Sequence, residues 1–129
     1  LERFAGEIGG HAVACDLTRR DDVFRMAREA RDRLGHVDVA VNSTGLALGG
    51  PFVGFSEADL DTLIALQFKG SFFFLQAMVD AMDGGGSIIQ ISSAVAKPST
   101  TVIGYEAYMG TKAGIDHVVR AVANQYGER

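Results

Sequence analysis

The chain has 129 residues, 47% of them hydrophobic, and its 12 basic and 16 acidic side chains give a formal charge of −4 at pH 7. That apolar share excludes a disordered polymer, and the acidic balance offers no basic surface to a nucleic acid, so a single folded domain is expected. No wholly apolar run approaches the ~18 residues of a bilayer span, the opening Leu1-Glu2-Arg3-Phe4 lacks a signal-peptide layout, and Cys15 stands alone. These features lead to the expectation of a cytoplasmic protein with no membrane partner, internal disulfide or structural zinc.

Leu1 to Ile8 reads as the last turns of a helix closed by Gly9-Gly10. The next run, His11-Ala12-Val13-Ala14-Cys15, is short, mostly apolar and stopped by Asp16, which predicts a strand covered on both faces. Thr18 is the predicted cap of the following helix, with Asp21 as its carboxylate partner, and Val23, Ala27, Ala30 and Leu34 recur at helical spacing up to Gly35. Arg25, Arg28, Arg31 and Arg33, interleaved with Glu29 and Asp32, mark a solvated face of that helix.

A second β-branched run, Val37-Asp38-Val39-Ala40-Val41, ends in Asn42-Ser43-Thr44-Gly45. Ser56-Glu57-Ala58-Asp59 repeats the capping signature, and Leu60, Leu63, Ile64, Phe68, Phe72, Leu75 and Val79 predict a long helix over 57–82. Around Phe72-Phe73-Phe74 this helix is apolar nearly all round, so it packs against more than one neighbour, one of them a second subunit. Gly84-Gly85-Gly86 ends it, Ser87-Ile88-Ile89-Gln90-Ile91 predicts a third strand closed by Ser92-Ser93, and Tyr108, Ile115, Val119, Val122 and Tyr126 mark a final helix over 106–127. Alternating strands and helices imply an α/β domain with parallel strands and right-handed crossovers.

Open parallel sheets bind ligands beyond the carboxyl ends of their strands. The residues there, Asp16, Asn42 to Gly45 and Ser92-Ser93, are polar or small. Such residues also end strands for local reasons, because their side chains bond to nearby backbone. Tyr108 and Lys112 are a sharper signal. Four apart, they share one helix face, where an ammonium favours the phenolate and lets a tyrosine exchange a proton near neutral pH. His11, His36 and His117 share no metal or triad spacing.

Asp16-Leu17, Asn42-Ser43-Thr44-Gly45, Ser93 and Tyr108-x-x-x-Lys112, in that order over essentially the whole chain, resemble the short-chain dehydrogenase/reductase family. The resemblance implies a Rossmann-type doubly wound parallel sheet, a nicotinamide cofactor, NAD or NADP, and hydride transfer to or from a small-molecule alcohol or carbonyl. It makes Tyr108 the general acid/base and Lys112 the group that holds the nicotinamide ribose and lowers the tyrosine pKa. Ser93 would orient the substrate oxygen, Asp16 would accept from the adenine amino group with Leu17 beside the ring, and Asn42, Ser43 and Gly45 would line the cofactor. It further implies a homodimer or homotetramer formed through the 57–82 and 106–127 helices.

Three departures follow. Ser43-Thr44 replace the family's usual Asn and Ala, a small-for-small change, and Ser93 to Tyr108 is slightly longer than usual, so Lys97 to Gly104 should bulge near the substrate. Gln67, in Gln67-Phe68-Lys69-Gly70, aligns with a catalytic Asn of the family. Glutamine keeps the amide but adds a methylene, so it is expected to weaken the proton relay. If so, Gln67→Asn should raise turnover, and an unchanged or lowered rate would refute the idea.

No glycine-rich phosphate turn follows the first strand. In the strand order 3-2-1-4-5-6, the three predicted strands take positions 3, 4 and 5, leaving a hole of three ~4.8 Å spacings, about 14 Å, between the first and the others. The expectation is therefore that residues 1–129 are a partial dinucleotide-binding domain, the middle of a longer chain, without the amino-terminal strand-turn-helix and the carboxy-terminal substrate loop. An intact mass matching 129 residues alone, in a folded sample, would refute it. Two competing readings are an epimerase or dehydratase of the same superfamily and a catalytically silent relative serving as a binding or assembly module.

Overall fold

The computed structural model describes residues 1–128 and begins with a short helix, α1 (Glu2–Glu7), after which Gly9 takes a φ of 69°. Residues 11–16 enter neither helix nor sheet, which corrects the expected strand at His11–Cys15. Among the described residues no strand lies alongside to exchange ladder bonds with it. The segment is held instead by α2 (Arg20–Leu34), whose Arg25 Nη2 donates to the Ala14 carbonyl at 2.5 Å.

The start of α2 also differs from expectation. Arg19 occupies the cap position, because the Thr18 hydroxyl and N–H both turn back to Asp16 Oδ1, at 2.7 and 2.9 Å. Asp22, in place of Asp21, closes the corner by accepting the Asp16 N–H at 2.6 Å while pairing with Arg25. Arg25 and Arg33 share Glu29, so part of the solvated face is a lattice of ion pairs. Bonds from the Thr18 hydroxyl and N–H hold the Asp16 carboxyl below the usual carboxylate range, and the Asp16 N–H followed by Arg25 does the same for Asp22. A depressed folded-state pKa contributes stability above the unfolded value and loses it as pH falls through the folded one. The protection of the Asp16 and Thr18 amides against hydrogen exchange at pH 6 should therefore collapse below about pH 4, while β-strand amides stay protected. Equal loss in both places would refute local control by these carboxylates.

Two strands, β1 (Val39–Asn42) and β2 (Ser87–Gln90), pair in parallel with Val39 opposite Ser87 and Asn42 opposite Gln90. Their alternation turns Ala40 and Ile88 into the core, whereas Val39, Val41, Ile89 and Ile91 on the other face are exposed.

Between the strands lies one rod, Glu57–Ala81. Ser56 caps it as expected, accepting the Asp59 N–H at 3.0 Å and donating to the Asp59 carboxylate at 2.7 Å. The rod comprises α3 (Glu57–Leu63), a π-helical turn (Ile64–Gly70) and α4 (Ser71–Ala81). By length and composition it is apolar enough to cross a bilayer. Here it is the central core helix: Phe74, Ala77, Met78 and Ala81 pack with Val23 and Ala27 of α2 and Ala40 of β1. The phenylalanine run divides as its all-round apolarity implies. Phe74 is in the core, Phe73 lies against it with the Arg20 guanidinium 5.8 Å from its ring centre, and Phe72 is 41% exposed.

The last helix, α5 (Glu106–Tyr126), buries Thr111, Lys112 and Ile115. Gly114 brings it against the π-helical turn, since a Cβ there would sit 3.1 Å from the Phe68 ring.

Candidate active site

The carboxyl ends of β1 and β2 meet the π-helical turn and the first turns of α5. Asn42, the last residue of β1, is 2% exposed and uses its whole amide. Its Oδ1 accepts from the Thr44 N–H at 3.1 Å and the Thr44 hydroxyl at 2.6 Å, while Nδ2 donates to Gln90 Oε1 at 2.9 Å and Ser71 Oγ at 3.2 Å. A strand end, its following loop, the neighbouring strand and α4 are thus tied to one side chain. The bend this imposes on 42–45 leaves Ser43 and Gly45 exposed at the sheet's end.

Beyond β2, the Ile91 carbonyl accepts from Lys112 Nζ at 3.1 Å. Lys112 is only 4% exposed, so its ammonium depends on protein acceptors. Ser93 is half-buried and caps the 3₁₀ turn Ala94–Ala96 by accepting the Val95 N–H at 3.4 Å, which leaves its hydroxyl proton available. Ser92 Oγ is buried and has no hydrogen-bond partner among the described residues. The turn at Ala94–Ala96 packs on α5 and so holds Ser93 close to the start of that helix.

Tyr108 is half-buried, its ring edge-on to Tyr105 at a centroid separation of 6.2 Å. Lys112 follows one helical turn later on the same face. Between them the Thr111 hydroxyl donates to the Tyr108 carbonyl at 2.8 Å and accepts from Gln67 Nε2 at 3.3 Å. Gly45 joins the same cluster: a Cβ on it would lie 3.6 Å from Lys112 Nζ and 3.8 Å from Gln67 Oε1. Asn42, Gly45, Gln67, Lys112 and the residues after β2 are therefore brought together.

Asp16 and Leu17 reach this cluster only indirectly. Leu17 buries its side chain in the core. Its carbonyl lies on the π-helical turn, where a Cβ on Gly70 would be 2.9 Å from the Leu17 oxygen. The loop expected to bulge is pinned: the Gly50 N–H donates to the Gly104 carbonyl at 2.8 Å, and Gly104 adopts a φ of 84° that favours glycine. Ala94, Val102 and Ile103 are exposed on this rim and Val95 is half-buried.

The sequence reading missed Thr111, Ser71 and Gln90. Gln90 carries a detectable signal, a lone amide in the apolar run Ile88-Ile89-Gln90-Ile91, and Ser71 is a small polar residue beside Gly70 in an apolar helix.

The family model described as enoyl-(acyl carrier protein) reductase matches residues 1–129. Among curated proteins, the chain is 30% identical over 118 residues to a hydroxynaphthalene reductase-like protein of Metarhizium majus, covering 92% of this chain and 44% of the relative. It is 30% identical over 123 residues to a short chain dehydrogenase of Passalora fulva, covering 94% and 46%. The chain thus spans about half the length of the curated relatives it matches. Among solved structures, a metagenomic short-chain oxidoreductase in complex with NADP superposes with a TM-score of 0.86 at 32% identity, over 98% of this chain and 59% of the other.

Proposed function

Because this chain belongs to the short-chain dehydrogenase/reductase family, we propose that the protein is an NAD- or NADP-dependent oxidoreductase acting on a secondary alcohol or ketone. The observation that carries this reading is the buried Lys112 ammonium, held by the Ile91 carbonyl beside Gly45 and one turn from Tyr108. A buried ammonium with N–H groups left after its bond to the Ile91 carbonyl suits the vicinal hydroxyls of a ribose, and the bare Gly45 Cα lets a ligand approach it closely. Solved relatives include one in complex with NADP, which supports the same cofactor class.

A nicotinamide held by these residues would supply or take up the hydride. Tyr108 donates its phenolic proton to the substrate oxygen in reduction and recovers it in oxidation. Lys112, one helical turn from Tyr108, would hold the nicotinamide ribose, and Ser93, whose oxygen already accepts the Val95 N–H, would direct its own proton to the substrate oxygen. Asp16 would accept from the adenine amino group with Leu17 beside the ring, while Asn42, Ser43 and Gly45 would line the cofactor. Ala94, Val95, Val102 and Ile103 give the substrate an apolar wall. Titrating the full-length protein with NADH and NADPH should give a saturable change in nicotinamide fluorescence with one of them. No change with either would favour a silent binding or assembly module.

The same reading makes the protein a cytoplasmic homodimer or homotetramer. A groove of about 580 Å³ between α4 and α5, its apolar part lined by Phe72, Leu75, Val79 and Val122 and its polar part including Asp80 and Asp83, supports a second copy of the chain as its occupant. Val79→Arg should reduce the mass of the full-length protein in light scattering to that of a monomer. A parent protein that is already monomeric would refute the assembly.

A further inference from the structure

Tyr105 stands just outside α5, at its cap position, with a φ of −120° and a ψ of 22°. Caps are normally short polar residues whose side chains bond the first helical amides, and Tyr105 makes no such bond. The helix start therefore gives no reason for a large ring there. The loop that follows β1 does. A Cβ on Gly49 would stand 2.9 Å from Tyr105 Cζ, 3.1 Å from Cε1 and 3.0 Å from the Gly104 oxygen, so only a glycine lets backbone and ring come this close.

The loops after β1 and β2 are joined next to that contact. The Gly50 N–H donates to the Gly104 carbonyl at 2.8 Å, and a Cβ on Gly104 would lie 3.3 Å from the Gly50 oxygen. The Gly104 N–H goes to Glu106 Oε1 at 3.1 Å and the Tyr105 N–H to the Val102 carbonyl at 3.2 Å. Tyr105 is 38% exposed, yet its ring is seated on a seam whose backbone is fixed on both strands' sides. The same ring meets Tyr108 at a centroid separation of 6.2 Å and an interplanar angle of 79°. Edge-to-face pairs favour one mutual attitude, so fixing one ring restrains the other. We propose that Tyr105 is a positioning residue for Tyr108: seated on the Gly49–Gly104 seam, its ring holds the Tyr108 ring in the attitude from which the phenol reaches the substrate oxygen.

The proposal rests on the reading of Tyr108 as the proton donor, and the experiment separates the two. The full-length protein is prepared with 3-fluorotyrosine at position 108 for fluorine NMR, and, without the label, its kcat and KM are measured for acetophenone, tetralone and isatin. Gly49→Ala keeps both rings but pushes Tyr105 off its seat, so the fluorine resonance should move. The kcat of that variant should fall by about tenfold, with KM and dinucleotide affinity within about twofold, because a small misplacement of a reacting group is costly in rate alone. Tyr105→Leu, which removes the ring and leaves the seam, should lose kcat to the same extent. Tyr105→Phe, which restores the ring, should return to within about twofold of the parent. An unmoved fluorine signal in Gly49→Ala overturns the proposal, and that signal decides it whether or not a ketone of the three is turned over. A loss carried by KM, as from a substrate contact, or a matching loss of dinucleotide affinity, as from a general loss of structure, overturns it as well. Tyr108→Phe is the control: if it and Tyr105→Leu both keep turnover, the reading of Tyr108 itself is wrong. If Tyr108→Phe alone loses turnover, only the role of Tyr105 falls.

Discussion

Replacing Tyr108 by Phe should lower turnover of any ketone the full-length protein reduces by at least about a hundredfold, with dinucleotide affinity held within about twofold. The substitution removes one oxygen and little else. The ring keeps its edge-on packing against Tyr105 at 6.2 Å, and the Tyr108 carbonyl that takes the Thr111 hydroxyl belongs to the backbone. Lys112, Ile91 and Gly45 are untouched, so the part of the site that would grip a ribose is unchanged. On the proposed mechanism, the group removed is the donor of the proton to the substrate oxygen. Positioned proton donors of this kind contribute roughly 10²- to 10⁴-fold to rate, which sets the size of the effect. Retained turnover would remove Tyr108 from the chemistry. A large loss of dinucleotide affinity would instead make it a binding residue.

The parts of this fold legible in the sequence are those set by local physics. The Ser56 cap works through atoms three residues apart, and the 3.6-residue period of α5 places Tyr108 and Lys112 on one face whatever surrounds them. His11–Cys15 shows where such reasoning fails. An apolar run states that a segment would suit a sheet, but a strand exists only when a second segment offers its ladder, and none of the described residues does. The cap of α2 failed for a related reason: Thr18 and Asp21 have the capping spacing, but the three-dimensional turn at Asp16 takes the Thr18 hydroxyl and gives its own N–H to Asp22. The π-helical turn was invisible because its cause is non-local. Gly70 lies on the Leu17 carbonyl and Phe68 on Gly114, contacts spanning about 50 residues in each direction along the chain that no window of periodicity can register. Gln67 stood out in sequence only as a departure from a pattern. Its partner at Thr111 and its unpaired oxygen required the fold.

Asn42→Leu should destabilise the full-length protein by about 3 kcal/mol and lower its melting temperature by about 10 °C. Leucine keeps asparagine's branched shape and heavy-atom count, so the cost is chiefly one of unpaired polar groups. Thr44 is exposed and can turn its N–H and hydroxyl to water, but the partners of Nδ2 cannot do so freely: Ser71 is 1% exposed and Gln90 is half-buried between the strands. Each strands a polar atom in a dry environment when the amide is removed. That asymmetry gives the test its sign. Replacing Gln90 by Leu in the same chain removes one stranded group, so the double variant should be more stable than Asn42→Leu alone by about 1 kcal/mol. Additive losses in the two variants would show that the Asn42–Gln90 bond is not what holds the strand ends. The same comparison reaches function through one backbone bond. The Ile91 N–H donates to the Asn42 carbonyl at 2.9 Å, and the Ile91 carbonyl holds Lys112. Once the Asn42 side chain no longer clamps β1 to β2, the acceptor that aims the ammonium loses its support, so dinucleotide affinity should fall in Asn42→Leu and recover in part in the double variant.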